Sequence, residues 1–266
     1  MSKYITHFQT EAAYQTALPS LDLPNVSLVD ELGEVHYHRA LYGAHAGDIA
    51  LYDVANAQKI VVTAADWNLT SYPTANYPII GVVVADESVN GVILCSTHPL
   101  NTDGTPATTY NPYKWQNASE IDWGLTKYQS VDAAKADFNG KTNTYTIIAA
   151  IKAYDLANGT DNITGNIGQS IELFAPTGTV AGDWYIPAAG ELNLLYNNFA
   201  IVNNSLNKIK TANSSLAVKI IEYNNYIWSS SEMNITKVYL EYLTNGTVSA
   251  TFKNSANYIC AFYKLA

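Results

Sequence analysis

A chain of 266 residues can form one large domain or two smaller ones, and its 48% apolar content is that of an ordinary globular protein. Only 14% of its residues are charged, and 14 Lys and Arg against 23 Asp and Glu give a formal charge of -9. That balance argues against nucleic acid and anionic lipid surfaces as partners, because both are held by clustered cations.

The N-terminal "MSKYITHFQT" has no apolar core region and no cleavage site, so the expectation is synthesis in the cytoplasm without a signal peptide. No stretch approaches 18 apolar residues, so no membrane insertion is expected. In that setting the Asn-x-Ser/Thr triplets at Asn68, Asn117 and Asn245 reflect composition, not glycosylation. Residues 9–18 read as a short helix stopped by Pro19, and residues 25–43 as a hairpin turning at 30–33. His36 and His38 alternate along its second strand and point to one face; with no third ligand at a supporting spacing, two polar residues on a solvent face is the better reading than a metal pair.

From Gly47 onward short strands are predicted at "DIALYDV", "KIVVTAADW", "IIGVVVADE" and "GVILCSTH", followed by a loop over 101–112. Helical character is predicted over 131–138, ending at Asn139-Gly140, and over 145–156, where Ile147, Ile148, Ile151 and Tyr154 share a face. A third helix follows Pro187, with Leu192, Leu195, Tyr196 and Phe199 as its apolar stripe. After residue 222 strands return at "NYIWSS", "KVYLEYL", "TVSATF" and "NYICAFYKL", and Asn245-Gly246 is a two-residue hairpin signal. Cys95 and Cys260 lie far apart in sequence and read as two small buried hydrophobes rather than a disulfide.

Signatures of chemistry are missing. The chain has no H-E-x-x-H, C-x-x-C, P-loop, G-x-G-x-x-G, EF-hand loop or G-x-S-x-G, and its histidines all precede residue 99. Ser229, Ser230, Ser231 and Glu232 therefore read as groups that satisfy buried backbone, not as a nucleophile and its base. No catalytic residue, metal or cofactor is expected.

The ordered set "DWYIPAAGEL" (183–192), "IWSSSE" (227–232) and "TNGTV" (244–248) resembles the C-type-lectin-like domains of variable proteins from diversity-generating retroelements, a group that includes phage tropism determinants and FISUMP-like domains. The matching positions are Trp184, Pro187, Glu191, Leu192, Trp228, Ser229, Ser230, Ser231, Glu232 and Gly246, with looser likeness at "GDIALYDV", "IGVVVADE" and "DWG". The resemblance implies an α+β, C-type-lectin-like fold over 46–266, preceded by an N-terminal helix and hairpin segment over 1–45 for attachment or oligomerisation, as a trimer for instance. It also implies a diversified region at about 223–262 displaying a surface to a protein or glycan on a cell. The candidate face comprises Asn224, Asn225, Asn234, Thr236, Tyr239, Glu241, Thr244, Ser249, Thr251, Asn254 and Asn257, since Tyr and Asn are good paratope residues.

Two features depart from the pattern. Glu241 stands where a strand residue is usually apolar, and "ICAFYKL" carries one cation where the family's last strand is basic. A phage or prophage receptor-binding protein carried on the virion is the reading implied. The alternatives are a structural virion decoration protein and an oxidase like the formylglycine-generating enzymes, whose closely spaced cysteine pair Cys95 and Cys260 do not resemble. The sugar-binding signatures of Ca²⁺-dependent lectins are absent from the sequence.

Overall fold

The computed structural model describes residues 44–85, 91–118, 120–216, 218–222 and 226–265, together with the backbone of two short pieces, Leu28–Val29 (β1) and Val35–His36 (β2). β1 and β2 pair antiparallel with Leu28 opposite His36, as the hairpin reading requires. The expected helix over 9–18, the turn of that hairpin, His38, Asn224 and Asn225 lie outside the described residues.

Val- and Ile-rich runs bounded by Asp, Asn and Gly give β3 (Ile49–Asp53), β4 (Gln58–Val62), β5 (Ile79–Ala85) and β6 (Val92–Ser96). Next come the helices α1 (Val131–Lys135), α2 (Gly140–Asn158) and α3 (Ile167–Leu173). Strand β7 (Trp184–Tyr185) precedes helices α4 (Ala189–Asn197) and α5 (Phe199–Ala212). Strands β8 (Tyr226–Glu232), β9 (Lys237–Tyr242), β10 (Thr247–Phe252) and β11 (Phe262–Leu265) complete the chain. Six strands form one sheet in the order β4-β3-β5-β6-β11-β7, three form another in the order β10-β9-β8, and every pairing between neighbours is antiparallel. The architecture is α+β with antiparallel sheets.

The larger sheet is buried on both faces, which is why β5 and β6 read as continuous apolar runs and not as alternating ones. Ala50, Val83, Leu94 and Tyr263 face a cluster with Ile147, Ile148 and Ile151 of α2 and Ile167 and Ile171 of α3. Ile49, Leu51, Val82, Val84, Ile93, Cys95 and Phe262 face the other way, against Leu192 and Leu195 of α4 and Phe199, Val202, Leu206 and Ile209 of α5. The period-two alternation between clusters is the pleat of the strands.

Several elements differ from the sequence expectation. α1 stops at Lys135, and α2 begins at Gly140, five residues before the predicted start. Phe199 opens α5 instead of closing the preceding helix, because the chain breaks at Asn198, whose side-chain Nδ2 donates to the Val84 carbonyl. α3 and α5 were not predicted; Asn-rich stretches within α5 conceal its apolar stripe. The β9–β10 connection is a four-residue loop, 243–246, where Asn245-Gly246 predicted two. Leu243 belongs to the apolar cluster beneath and is 1% exposed, so its burial lengthens the turn.

Candidate functional site

The two halves of the C-terminal signature meet at one buried junction. Pro187 and the following residues start α4 without a capping side chain of their own at Ala188. Ser231 of β8 takes that role from across the fold: its Oγ accepts the Ala189 N–H (2.9 Å) and donates to Asp137 Oδ2 (2.7 Å). Glu191 Oε2 accepts the Ala188 N–H at 2.8 Å, and the Ser230 N–H donates to the Pro187 carbonyl at 2.8 Å. Thr144 of α2 bonds both the N–H and the carbonyl of Ile186 at 3.0 Å. Asp137 Oδ2 also accepts from Asn143 at 2.8 Å.

Gly190 fits because nothing larger does: a Cβ there would stand 2.5 Å from the Asp137 carbonyl oxygen and 2.6 Å from that of Lys135. Both are backbone atoms that cannot step aside. Gly190→Ala is expected to lower stability by about 1–3 kcal/mol, the range for overpacking. That shift lowers the thermal midpoint by roughly 3–10 °C, readable by circular dichroism.

Trp184 and Trp228 are fully buried anchors on either side of this junction. Trp228 Nε1 donates to the Tyr113 carbonyl at 2.7 Å, and Trp184 Nε1 to Thr179 Oγ1 at 3.0 Å. Ser229, Ser230, Ser231 and Glu232 are each 0% exposed. Ser229 Oγ donates to the Tyr239 carbonyl at 2.8 Å. The Ser229 and Ser231 hydroxyls are committed to backbone and carboxylate partners, whereas Ser230 Oγ is buried with no hydrogen-bond partner, so the expectation that these side chains satisfy buried backbone holds for only part of the set. His98 is held elsewhere by Thr97 and the Leu216 carbonyl. Among the described residues no group of three His, Cys, Asp or Glu is arranged to hold a metal.

Beyond the junction, Glu232 forms a buried ion pair with Lys253: Nζ lies 2.6 Å from Oε1, 3.0 Å from the Ile121 carbonyl and 3.7 Å from the centre of the Trp123 ring. Burial pushes the Glu232 carboxyl up and the Lys253 ammonium down, and their pairing opposes both shifts. This pair fastens the chain after β10 to the loop around Trp123, while Trp115 and Tyr128 N–H groups bond the carbonyls of Lys253 and Glu232. The small sheet is thus clamped from beneath.

The candidate ligand face divides on this scaffold. Ser249 and Thr244 are exposed, and Thr251, Asn254 and Asn257 are half-buried. Asn234 and Thr236 are half-buried within the β8–β9 turn, where Asn234 Oδ1 accepts from the N–H groups of Thr236 and Lys237 at 2.9 and 2.8 Å. Tyr239 and Glu241 do not belong to an exposed face. The register pairs Val248 with Glu241 and Ala250 with Tyr239, which turns both side chains toward α1 and α4. Tyr239 is 3% exposed and donates its hydroxyl to the Tyr128 carbonyl at 2.9 Å, and Glu241 is 1% exposed. β9 is the central strand of the small sheet and is covered on both faces, with Val238 and Leu240 in the other apolar cluster, so neither of its faces meets solvent. Nor is 223–262 open to solvent as a block: most of β8, the middle of β9 and 259–262 are buried.

Aromatics missing from the sequence expectation flank the face, Tyr226 and Phe252 exposed and Tyr242 half-buried. Tyr226 stacks on Tyr242 with ring centroids 4.6 Å apart, and Phe252 lies under the Lys237 ammonium at 5.1 Å. The signal that finds Tyr226 and Tyr242 is the two-residue period counted outward from Trp228 and Leu240 on the paired strands.

Neither a protein-family model nor a curated protein matches the chain. Among solved structures it is similar to a fimbrial protein from Bacteroides ovatus ATCC 8483, with a TM-score of 0.51 and 18% identity over 83% of this chain and 49% of that one. The chain spans about half the length of that protein, and at this identity the likeness concerns the fold alone.

Proposed function

We propose that residues 46–266 form a C-type-lectin-like, non-catalytic binding module, and that the chain is a phage- or prophage-encoded protein that uses it to recognise a protein or glycan on a cell surface. The observation that carries this reading is the contrast across the small sheet. Strands β8 and β9 are buried and held by a network of ion pair, capped helix and tryptophan, while the edge strand β10 and the chain after it offer Ser249, Thr251 and Asn254 to solvent beside the Tyr226–Tyr242 stack. Hydroxyl, amide and aromatic groups on a rigid frame bind with little loss of conformational freedom. The resemblance of the C-terminal motifs supports diversification of that edge, and carriage on a virion as a trimer through the N-terminal segment belongs to the same proposal.

The test is adsorption of purified protein to glycan arrays and to intact gut bacterial cells. Replacing Ser249, Thr251 and Asn254 together by lysine is expected to reduce adsorption at least about tenfold, as central interface residues do. Leu156→Lys, at a remote and 88% exposed position, should leave it unchanged. Equal adsorption by the triple variant and the wild type would reject the face.

A second reading is a structural subunit of a surface appendage without a specific ligand. The likeness to a fimbrial protein favours it. Ordered assembly of purified chains in the absence of any ligand would support it over recognition.

A further inference from the structure

The two larger sheets end in the strands β4, β7, β8 and β10, and three of these edges are protected. β4 carries the exposed Gln58 and Lys59. β7 is two residues long, and its Trp184 carbonyl accepts the Tyr145 hydroxyl at 2.7 Å. Beside β8, Tyr258 exchanges hydrogen bonds with Tyr226 and Trp228 at 3.1 and 2.9 Å, and the Pro187 carbonyl accepts the Ser230 N–H at 2.8 Å. Among the described residues β10 has no such cover. It contains no charged residue, no proline and no glycine, and it pairs with β9 over six residues without the register shift that interrupts β8–β9. Natural sheets blunt a long, regular edge unless another strand adds to it.

The Lys253 N–H donates to the Thr236 carbonyl at 3.0 Å, and antiparallel alternation from that bond directs the backbone groups of Ser249 and Thr251 toward β9. The N–H and carbonyl groups of Val248 and Ala250 therefore point outward, and no described residue bonds them. The next outward carbonyl, that of Phe252, is taken by the Ser255 N–H at 2.9 Å.

We propose that β10 pairs antiparallel with β10 of a second copy of this chain, about a two-fold axis at Ser249. In that register Val248 stands opposite the partner's Ala250, and the two exchange N–H and carbonyl bonds, as do their symmetry mates. Every outward group that the fold leaves open is thus satisfied by an identical strand, with nothing further required. Hydroxyl residues meet hydroxyl residues, since Ser249 faces its own copy and Thr247 faces the partner's Thr251. Charge agrees with this occupant: at -9 overall, copies of the chain repel one another, yet this neutral strand lets two meet without opposing like charges. One added strand buries less area than a permanent dimer needs, so the association is weak. Side chains stand perpendicular to the sheet, so pairing sets two copies of the open face side by side. The inference goes beyond ligand recognition and does not depend on it.

The experiment has two arms, both on the full chain and neither using a ligand. Residues opposed at a non-hydrogen-bonded position have Cα atoms about 4.5 Å apart, within reach of a disulfide. Ser249→Cys under mild oxidation is therefore expected to run as a covalent dimer on a non-reducing gel. Leu156→Cys, exposed and remote, should stay a single chain, and the native Cys95 and Cys260 are buried in both. In sedimentation equilibrium at high concentration, wild type should have twice the mass of Ser249→Lys and of Ser249→Glu, each of which opposes like charges across the axis. An equal mixture of the two charged variants should recover the wild-type mass. Equal masses for wild type and the charged variants would overturn the proposal, whatever that mass is. So would a mixture no heavier than its components, or Ser249→Cys that cross-links no more than Leu156→Cys. Another segment of this chain or a foreign peptide on the edge would give those overturning results.

Discussion

Lys253→Met is expected to destabilise the protein by about 3–5 kcal/mol, the cost of leaving one member of a buried ion pair uncompensated. Lys253 and Glu232 are both 0% exposed. With the ammonium gone, Glu232 keeps only Lys127, 3.9 Å from its other oxygen, and its Oε2 has no hydrogen-bond partner. The Ile121 carbonyl and the Trp123 ring lose their cation as well. The double variant Glu232→Leu, Lys253→Met removes both charges together and should recover most of the loss, because two desolvation penalties vanish with the attraction. The single variant's deficit should also shrink between pH 8 and pH 5. Burial has raised the Glu232 carboxyl, and without lysine to oppose that shift it takes up a proton more readily. Urea unfolding of wild type, single and double variants at the two pH values measures all of this. A double variant no more stable than the single would show that the pair is not the clamp described here.

Glu241→Gln is expected to act in the opposite direction, stabilising the protein at pH 8 by about 2–4 kcal/mol. Neither carboxylate oxygen of Glu241 has a hydrogen-bond partner, and burial raises its pKa from 4.5 to about 7 against the modest opposing pull of Lys135. Each pKa unit corresponds to about 1.4 kcal/mol. Between pH 4.5 and 7 the folded protein holds a proton that the unfolded chain has released, so stability is greatest at the acid end and falls as pH rises through 7. Glu191, raised by burial to about 7, contributes a slope of the same sign, although the Ala188 N–H and Tyr185 hydroxyl it accepts from offset part of it. The glutamine variant should therefore match wild type near pH 4.5, exceed it above pH 7, and show a shallower slope, to which the raised Glu191 and Glu232 carboxyls still contribute. Chemical denaturation across that range decides; a wild-type curve that rises with pH in this window would refute the assignment. Lys135 of α1 is the charged group that acts on Glu241, and the facing strand β10 carries none. An ionised Glu241 thus meets mostly apolar surface beneath the strand that carries Ser249.

These two buried acids explain why the candidate face was only partly legible. Strand identity at "KVYLEYL" and "TVSATF" was plain from β-branched and aromatic residues, yet that β9 would be covered on both faces depended on the elements packed against it. A polar residue in a strand normally marks the solvent side, so Glu241 read as exposed. Its apolar surroundings come from α1 and α4, which are about fifty to a hundred residues upstream. The same remoteness hid that Cys95 and Cys260 share one apolar cluster, whereas the Tyr226–Tyr242 stack followed from the register of two consecutive strands.

Local composition by itself determined the mixed α+β class, the strands of the first and last thirds, the three helices predicted within the described residues in outline, and the tryptophans as core anchors. Those are properties of short-range propensity and apolar periodicity, which each segment carries with it. Tertiary structure alone decided that Ser231 caps a helix begun at Pro187, that Lys253 neutralises Glu232, and which side of the β9–β10 hairpin meets water. Each of these is a contact between distant segments, and its energy comes from shared burial, which no single segment contains.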